Sequence, residues 1–426
     1  MQTIVILMKV FKFGGASVKD AAGVKNVTDI IRKYGVGKTM VVVSAMGKTT
    51  NALEEVVYAY FHDTGEASAK IDAIRSSHTN ICKELFESDT HPVYDKINNL
   101  LVELDWQIEE QRKSDYNYVY DQIVSLGELL SSIILSEYAQ YSGIDNLWLD
   151  VRDVLKTDDT YREGVVLWEQ TQKMVDTKVK PILEQKLIIT QGFLGCTSDN
   201  CTTTLGREGS DYTAAIFANM LDADSQTIWK DVPGVMSGDP RKVDDAVFIE
   251  ELTYMEAVEM TFYGASVIHP KTIKPLQNKN IPLIVKSFIH PDNKGTVIQS
   301  HISGVQLPPI RVVKENQALL TFTSKDFSFI EEQVISDLID ALAKANIKIN
   351  MMQNGAISLQ TCVDYREDKM EKINKLSAEK FFLDTKEGLT LLTIRHYTPE
   401  AIQKHTSGKK AYIVQKRPTT YQVLMQ

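Results

Sequence analysis

The chain has 426 residues, of which 43% are hydrophobic and 24% are charged, and its formal net charge is −9. This length exceeds what one hydrophobic core usually supports, so we expect a large domain and a smaller one. The negative charge, with no dense block of Lys or Arg, argues against nucleic-acid and membrane partners and favours a small-molecule substrate. The four cysteines lack C-x-x-C spacing, which indicates reduced thiols in a cytoplasmic protein and no dedicated metal site.

Short apolar runs alternate with longer segments of helical periodicity up to the Pro-Pro pair at 308–309, which predicts an α/β domain with a largely parallel sheet. The predicted strands include residues 40–43, 187–189 and 281–285. The predicted helices include residues 21–34, 51–62, 66–110 and 121–141. The stretch 66–110 has few strand signals, so we predict a helical insertion that is broken near residues 88–92.

After the Pro-Pro pair the pattern changes to short strands and helices in the order β-α-β-β-α-β, which ends near residue 384. A second, shorter unit begins at Gly388, so residues 380–384 and 389–395 are predicted as separate strands. The sequence thus predicts three parts: a catalytic domain at 1–306, an α+β unit at 314–386, and a shortened second unit at 387–426.

The first motif is KFGGASV at residues 12–18, a strand that ends in two glycines. Gly14 and Gly15 would let the backbone approach a phosphate closely, and Lys12 would add a positive charge. An ordinary strand–turn–helix explains this pattern equally well. In the second motif, VVVSAMGKTTN at 41–51, Ser44, Thr49 and Thr50 could donate hydrogen bonds to a substrate. Alternatively, Thr49, Thr50 or Asn51 could cap the helix that follows.

Two further motifs carry candidates for binding an amino acid. In SLGE at 125–128, Glu128 is a carboxylate on an apolar helix that could bind a substrate ammonium group, form an internal salt bridge or simply be exposed. In TTTLGREGSDYTAA at 202–215, Arg207 could hold a carboxylate with both arms of its guanidinium group. Asp211 could orient a substrate amine and Lys12, or simply satisfy the helix dipole.

The motif WKDVPGVMSGDPR at 229–241 follows a predicted strand. Lys230 and Asp231 stand where a nucleotide could bind, and Arg241 could reach its phosphates. The later motif YGASVIHPKT at 263–272 is predicted to help close the nucleotide pocket. His269 in that motif is predicted to make a structural hydrogen bond rather than to act as a general base.

Together and in this order, these motifs resemble those of the aspartate kinase family of the amino-acid kinase superfamily, over residues 9–302. The resemblance implies a three-layer α/β/α sandwich with a largely parallel sheet, followed by ACT-like regulatory modules. It also implies transfer of a phosphoryl group from ATP, with Mg²⁺ on the phosphates, to the β-carboxylate of L-aspartate. This reaction is the first step towards lysine, threonine and methionine.

The resemblance assigns roles by position. Lys12 and Asp211 would be catalytic. The aspartate pocket would comprise Ser44, Thr50, Glu128, Arg207 and Asp211. The ATP site would comprise Lys12, Gly14, Gly15, Lys230, Asp231, Met236, Arg241 and Ser266. Met236 and Ser266 depart from the common family pattern, in which tyrosine and lysine stand at these positions.

The resemblance further implies a lysine or threonine effector and a homodimer or larger homo-oligomer formed through the ACT-like modules. Candidate effector residues are Ser324, Asp326, Asn350, Gln353 and Asn354, although turns and helix caps explain these polar residues equally well. Two other functions remain open: another amino-acid kinase, such as a glutamate kinase, and a non-catalytic regulator that binds amino acids.

Overall fold

The computed structural model describes residues 7–35, 37–109, 115–265, 268–302, 304 and 306–426. Its contacts divide the chain into two compact units. Counting only described residues, the first unit is drawn from Met1–Val235, Glu250–Val258 and Ile268–Ser303. The second is drawn from Met236–Ile249, Glu259–Val267 and Gly304–Gln426.

The strands and helices of the N-terminal part are numbered in chain order. The strands are β1 (Met8–Phe13), β2 (Lys38–Val43), β3 (Asn146–Leu149), β4 (Leu187–Gln191), β5 (Leu194–Cys196), β6 (Thr202–Thr204), β7 (Ser225–Lys230), β8 (Val235–Met236), β9 (Phe248–Ile249), β10 (Glu251–Thr253), β11 (Leu283–Ser287) and β12 (Thr296–Gln299). The helices are α1 (Ala21–Tyr34), α2 (Thr49–Phe61), α3 (Ala67–Leu85), α4 (Val93–Glu109), α5 (Tyr116–Val124), α6 (Leu126–Tyr141), α7 (Trp168–Met174), α8 (Lys180–Leu183), α9 (Gly209–Met220), α10 (Tyr254–Tyr263) and α11 (Pro270–Asn278).

The core of the first unit is a sheet whose eight described strands run in the order β10-β12-β11-β7-β1-β2-β4-β3. Every neighbouring pair is parallel except β11 with β12. Helix α9 packs against β1, β2 and β7, and helix α6 packs against β2, β3 and β4. The predicted α/β class with a largely parallel sheet is therefore confirmed. The central strands β1 and β2 are almost entirely buried, as expected for a sheet covered by helices.

The predicted helical insertion is confirmed over the described residues as α3 and α4, with the break at residues 86–92. Glu110, the last residue of that prediction, lies outside the described residues. The helix predicted at 121–141 is helical throughout except for a one-residue interruption at Ser125, between the end of α5 at Val124 and the start of α6 at Leu126. This stretch, Tyr116–Tyr141, is apolar and long enough to cross a membrane, but 94% of its apolar window is buried inside the protein.

The C-terminal part contains strands β13 (Ile310–Ser324), β14 (Ile349–Asn354), β15 (Ser358–Asp364), β16 (Phe381–Arg395), β17 (Ala411–Lys416) and β18 (Thr420–Met425), with helices α12 (Glu332–Lys344), α13 (Glu367–Ser377) and α14 (Pro399–Thr406). The described strands form one antiparallel sheet in the order β14-β15-β13-β16-β18-β17. The two strands predicted at 380–384 and 389–395 are in fact one strand, β16. Gly388 has a φ of 70° opposite a register shift in β13, so a bulge bends the strand without ending it.

Two buried arginines tie this sheet to the shorter segments of the second unit. Arg311, whose side chain is 6% exposed, pairs with Asp245 at 2.5 Å, and its backbone N–H donates to the Ser237 carbonyl at 2.7 Å. Arg395, whose side chain is 8% exposed, pairs with Glu259 at 2.8 Å. Both arginines are thus neutralised by residues far away in the sequence.

Candidate active site

A cavity of about 700 Å³ lies in the first unit, beyond the carboxyl ends of the central strands. Strands β1, β2 and β4 are neighbours in the sheet, and each is followed by a loop that lines the cavity or supports it. Ligands of open α/β sheets bind at this edge of the sheet. The structure brings together here all the predicted catalytic and substrate-binding residues: Lys12, Ser44, Thr50, Glu128, Arg207 and Asp211.

Lys12 and Asp211 form an ion pair in this cavity, with 2.6 Å between Nζ and Oδ1. Lys12 lies near the end of β1, and Asp211 lies in the first turn of α9, which packs on β1. Their side chains are only 12% and 6% exposed, so the pair is largely shielded from solvent. Asp211 therefore holds the lysine ammonium group at the strand end while its other two protons can face a ligand.

Glu128 is buried in the same cavity, with 3% of its surface exposed. Its Oε1 accepts a hydrogen bond from the backbone N–H of Ala45 at 3.3 Å, and its Oε2 has no hydrogen-bond partner among the described residues. Burial raises the pKa of Glu128 to about 8, although the Ala45 N–H and the charge of Lys12 oppose this shift. Without a cationic ligand, a buried carboxylate in this setting favours its protonated form.

The glycines of the first motif allow the loops after β1 and β2 to touch. The backbone N–H of Gly47 donates to the Gly15 carbonyl at 3.0 Å. A Cβ atom at Gly15 would lie 2.5 Å from the Ala45 carbonyl oxygen, so no larger residue fits without moving that loop. At Gly14 the nearest atom to an added Cβ would be Lys12 Nζ at 3.4 Å. The lysine amine thus lies close to the Gly14 backbone.

A network centred on Asp121 supports the cavity, and the sequence motifs did not reveal it. Asp121 is fully buried on α5 and accepts hydrogen bonds from the Arg162 N–H at 2.8 Å, the Thr204 N–H at 2.9 Å and the Thr204 hydroxyl at 2.7 Å. Burial raises the pKa of Asp121, and these donors lower it. Asp121 thereby fixes the 158–165 loop against β6.

The same loop places a second arginine in the cavity. The Arg162 guanidinium carbon lies 4.3 Å from the ring centre of Tyr120, a cation–π contact that fixes its position. The Tyr120 hydroxyl in turn donates to Glu54 at 2.5 Å. Glu128 could be found from its motif, but residues 158–165 show no periodicity or glycine pattern that marks Arg162 as a site residue.

Three non-glycine residues that line the cavity have left-handed backbone conformations: Arg162 at φ 70°, Phe193 at 69° and Glu208 at 55°. Such conformations cost free energy and concentrate at functional sites. Glu208 precedes α9, and its Oε2 accepts a hydrogen bond from the His269 N–H at 3.0 Å. His269 itself caps α11 by accepting from the Lys271 N–H at 3.2 Å, which confirms the structural role predicted for it.

The predicted nucleotide-site residues are divided between the two units. Lys230 ends β7, next to β1, and is partly buried, and the adjoining Asp231 is exposed. Met236 and Arg241 belong to the second unit, where Arg241 pairs with Asp239 at 2.8 Å. Ser266 lies outside the described residues. Of the predicted ATP-site residues in the described ranges, Lys12 is the one that lines the cavity.

The predicted effector residues lie in the second unit. The Asp326 carboxylate accepts hydrogen bonds from the Ser324 and Ser328 hydroxyls, and these donors lower its pKa. Asn350 donates to Gln317 at 2.8 Å and to Asp364 at 3.0 Å. The Ser324 and Asp326 interactions are those of a turn, the alternative left open above.

Two exposed residues, Gln353 and Asn354, end the edge strand β14.

Comparison with known proteins now decides the family. A sequence profile described as "Amino acid kinase family" matches residues 8–287. The chain belongs to the amino acid kinase family, among its aspartokinases. It is 33% identical to lysine-sensitive aspartokinase 3 of Escherichia coli (strain K12), over 83% of this chain and 78% of the relative.

A longer relative and two solved structures support the same family assignment. The chain is 35% identical to the bifunctional aspartokinase/homoserine dehydrogenase 2 of Arabidopsis thaliana, over 68% of this chain but 32% of that protein. It also resembles E. coli aspartokinase III in complex with lysine and aspartate (T-state), at 28% identity and a TM-score of 0.84, covering 98% of this chain and 95% of that one. The R-state structure of the same protein, with aspartate and ADP, gives 27% identity and a TM-score of 0.80, over 98% and 96%.

Proposed function

We propose that this chain transfers the γ-phosphoryl group of ATP to the β-carboxylate of L-aspartate and forms 4-phospho-L-aspartate. One observation carries the proposal: the Lys12–Asp211 ion pair, the buried Glu128 and Arg207 line a single cavity at the carboxyl edge of the sheet. A cavity with anionic and cationic groups side by side suits a zwitterionic amino acid. The E. coli relative, whose structures contain aspartate and ADP, supports the same assignment.

On the substrate side, the ammonium group of aspartate would lie between Glu128 and Asp211. Glu128 Oε2 has no partner among the described residues, and an ammonium group would supply both a hydrogen bond and the counter-charge for ionisation. The α-carboxylate would bind the Arg207 guanidinium group, whose planar fork matches two carboxylate oxygens. Ser44 and Thr50, which also line the cavity, would donate to the remaining oxygens.

The proposed reaction depends on alignment of the reacting groups rather than on a general base. A β-carboxylate with an ordinary pKa of about 3.9 is already ionised at neutral pH. Lys12, held by Asp211, would neutralise charge that develops on the transferring phosphoryl group. The backbone around Gly14 and Gly15 would add N–H donors. Asp211 would act by orienting Lys12 and by contacting the substrate.

On the nucleotide side, Lys230, Asp231, Met236, Arg241 and Ser266 are proposed to contact ATP, together with Lys12, Gly14 and Gly15. Mg²⁺ would neutralise the phosphate oxygens. Within the described ranges, no group of three His, Cys, Asp or Glu side chains could hold an ion. We propose that the ion arrives on the phosphates of ATP, because Mg²⁺ is usually bound through substrate phosphates and one or two carboxylates rather than by an all-protein site.

For regulation, we propose the division at 1–306, 314–386 and 387–426, with strand β16 shared by the last two parts and an end-product amino acid, lysine or threonine, bound by the ACT-like part. The name of the E. coli relative, lysine-sensitive aspartokinase 3, supports lysine. Ser324, Asp326, Asn350, Gln353 and Asn354 remain the proposed contacts. We also propose that the protein is a cytoplasmic homodimer or larger homo-oligomer. It would catalyse the first step towards lysine, threonine and methionine.

ADP release measured with ATP and aspartate tests the proposed reaction, with glutamate in place of aspartate as the control substrate. Arg207→Ala should raise the aspartate KM about 10- to 100-fold, since charged hydrogen bonds contribute roughly 1.5–3 kcal/mol. The matched control is Arg75→Ala, which removes an arginine on α3 that pairs with Asp105 on α4. Equal turnover with glutamate, or an unchanged aspartate KM in Arg207→Ala, would overturn the assignment.

A further inference from the structure

A second cavity of about 310 Å³ lies in the first unit between the loop that follows β2 and helix α3. Met46, Lys48 and Thr49 contribute from the loop and the start of α2, and Ile74 and His78 contribute from α3. None of these residues lines the first cavity. The cavity is large enough for a small organic molecule, and its lining is both charged and apolar.

His78 places a buried hydrogen-bond acceptor in the lining of this cavity. The ring is 1% exposed, and its Nδ1 lies 2.8 Å from the Ile74 carbonyl oxygen. Because a carbonyl oxygen only accepts, Nδ1 carries the proton in this contact. Burial lowers the pKa of His78, which favours the neutral ring and leaves Nε2 as an acceptor. Nε2 has no hydrogen-bond partner among the described residues, and a buried acceptor without a donor is costly.

The charged groups around the cavity favour an anion. Lys19 and Lys48 line it, are exposed, and have no partner in the described part of the chain. Lys70 also lines it, but Glu55 pairs with it at 2.9 Å and offsets its charge. The 13-residue helix α2 begins at Thr49 without a side-chain cap, and its N-terminal dipole adds to the attraction.

We propose that this cavity binds a small organic anion that also carries a hydroxyl or amino group. Lys19, Lys48 and the N-terminus of α2 hold the anionic group. The hydroxyl or amino group donates to His78 Nε2. The site is distinct from the aspartate cavity, although the two share the first turn of α2: Thr49 lines this one and Thr50 lines the other.

Calorimetric titration of the full chain tests the proposal with glycerol 3-phosphate and, as a matched probe, propyl phosphate, which lacks both hydroxyl groups. Saturating ADP and aspartate block the first cavity, so phosphate binding there does not contribute. We expect glycerol 3-phosphate to bind more tightly than propyl phosphate. Lys48→Met should weaken both about fivefold or more through loss of one charge.

His78→Phe keeps an aromatic ring but removes the acceptor, so it should abolish the preference for glycerol 3-phosphate while leaving propyl phosphate binding unchanged. Lys83→Met, on the same helix but outside the cavity, is the control and should behave like the unmodified chain. The exposed Lys48 and Lys19 variants keep the test valid if His78→Phe fails to fold. No binding of either phosphate, equal binding of the two, or no effect of Lys48→Met would overturn the proposal.

Discussion

The buried Glu128 yields a prediction about stability as well as function. The substitution is Glu128→Gln, which keeps the size of the side chain and removes its titration. In the folded protein, burial raises the pKa of Glu128 from 4.5 to about 8. Between these values the folded chain holds a proton that the unfolded chain has released. The stability that this group contributes is therefore complete below about pH 4.5 and is lost as the pH rises through about 8.

The magnitude follows from the size of the shift. Well below the folded pKa each pH unit lowers the free energy of unfolding by about 1.4 kcal/mol, and near pH 8 the slope falls to half, so the loss from pH 6 to pH 8 is roughly 2 kcal/mol. Glu128→Gln has no such loss. Its stability relative to the unmodified chain should therefore increase by ~2 kcal/mol over this range, while its aspartate KM rises because the counter-charge for the ammonium group is gone.

Urea unfolding at intervals from pH 6 to pH 8, without ligands, measures this difference. Glu137→Gln is the matched control, because it removes a carboxylate from the same helix that is paired with Lys96 outside the cavity. A stability difference between Glu128→Gln and the unmodified chain that stays constant with pH would refute the assignment of a protonated, buried carboxyl group.

Three further predictions follow from the site. Lys12→Ala should lower kcat about 100-fold or more, with a much smaller change in either KM, whereas turnover equal to the unmodified chain would contradict its role. Gly15→Ala should impair ATP use in steady-state kinetics far more than Gly14→Ala does. The Cβ added at Gly15 would lie 2.5 Å from a backbone carbonyl oxygen, whereas the Cβ added at Gly14 would lie 3.4 Å from a movable lysine amine. Equal effects of the two substitutions would count against the close contact. Asp121→Asn should lower the free energy of unfolding by about 1–3 kcal/mol in urea titrations, because an amide cannot accept from all three donors, and an unchanged midpoint would show that the network contributes little.

The residues of the first cavity could be predicted because they lie near the ends or the beginnings of regular elements. Lys12 and Ser44 lie at the ends of adjacent parallel strands, and Asp211 begins the helix that packs on them. Parallel strands bring such positions to one edge of the sheet. Motifs that are far apart in the sequence therefore contribute residues to one cavity.

Arg162 and Asp121 could not be found in this way. Arg162 lies in a loop without periodicity, and it enters the cavity where Asp121 on helix α5 accepts a hydrogen bond from its backbone N–H. The one-residue interruption at Ser125 was also not predicted, since the apolar run around it continues on both sides without proline. The long-range hydrogen bond that positions Arg162 leaves no local pattern in the sequence.

At Gly388 the glycine correctly indicated an unusual backbone conformation, but the predicted break between two strands was wrong. The glycine suggested the start of a second unit, but β13 pairs with β16 on both sides of Gly388, so the strand continues through it as a bulge. A glycine marks an unusual backbone conformation. Whether the strand continues depends on partners that are distant in the sequence.

The ion pairs of Arg311 and Arg395 determine how the C-terminal sheet could be produced as a separate protein. A fragment that begins at residue 304 would contain every described strand of that sheet, yet it would lack Asp245 and Glu259. Both ion pairs would be broken, and removing one partner of a buried ion pair costs roughly 3–5 kcal/mol. A soluble sensor fragment would therefore need residues 236–267 supplied as a second chain, or both arginines replaced by neutral residues.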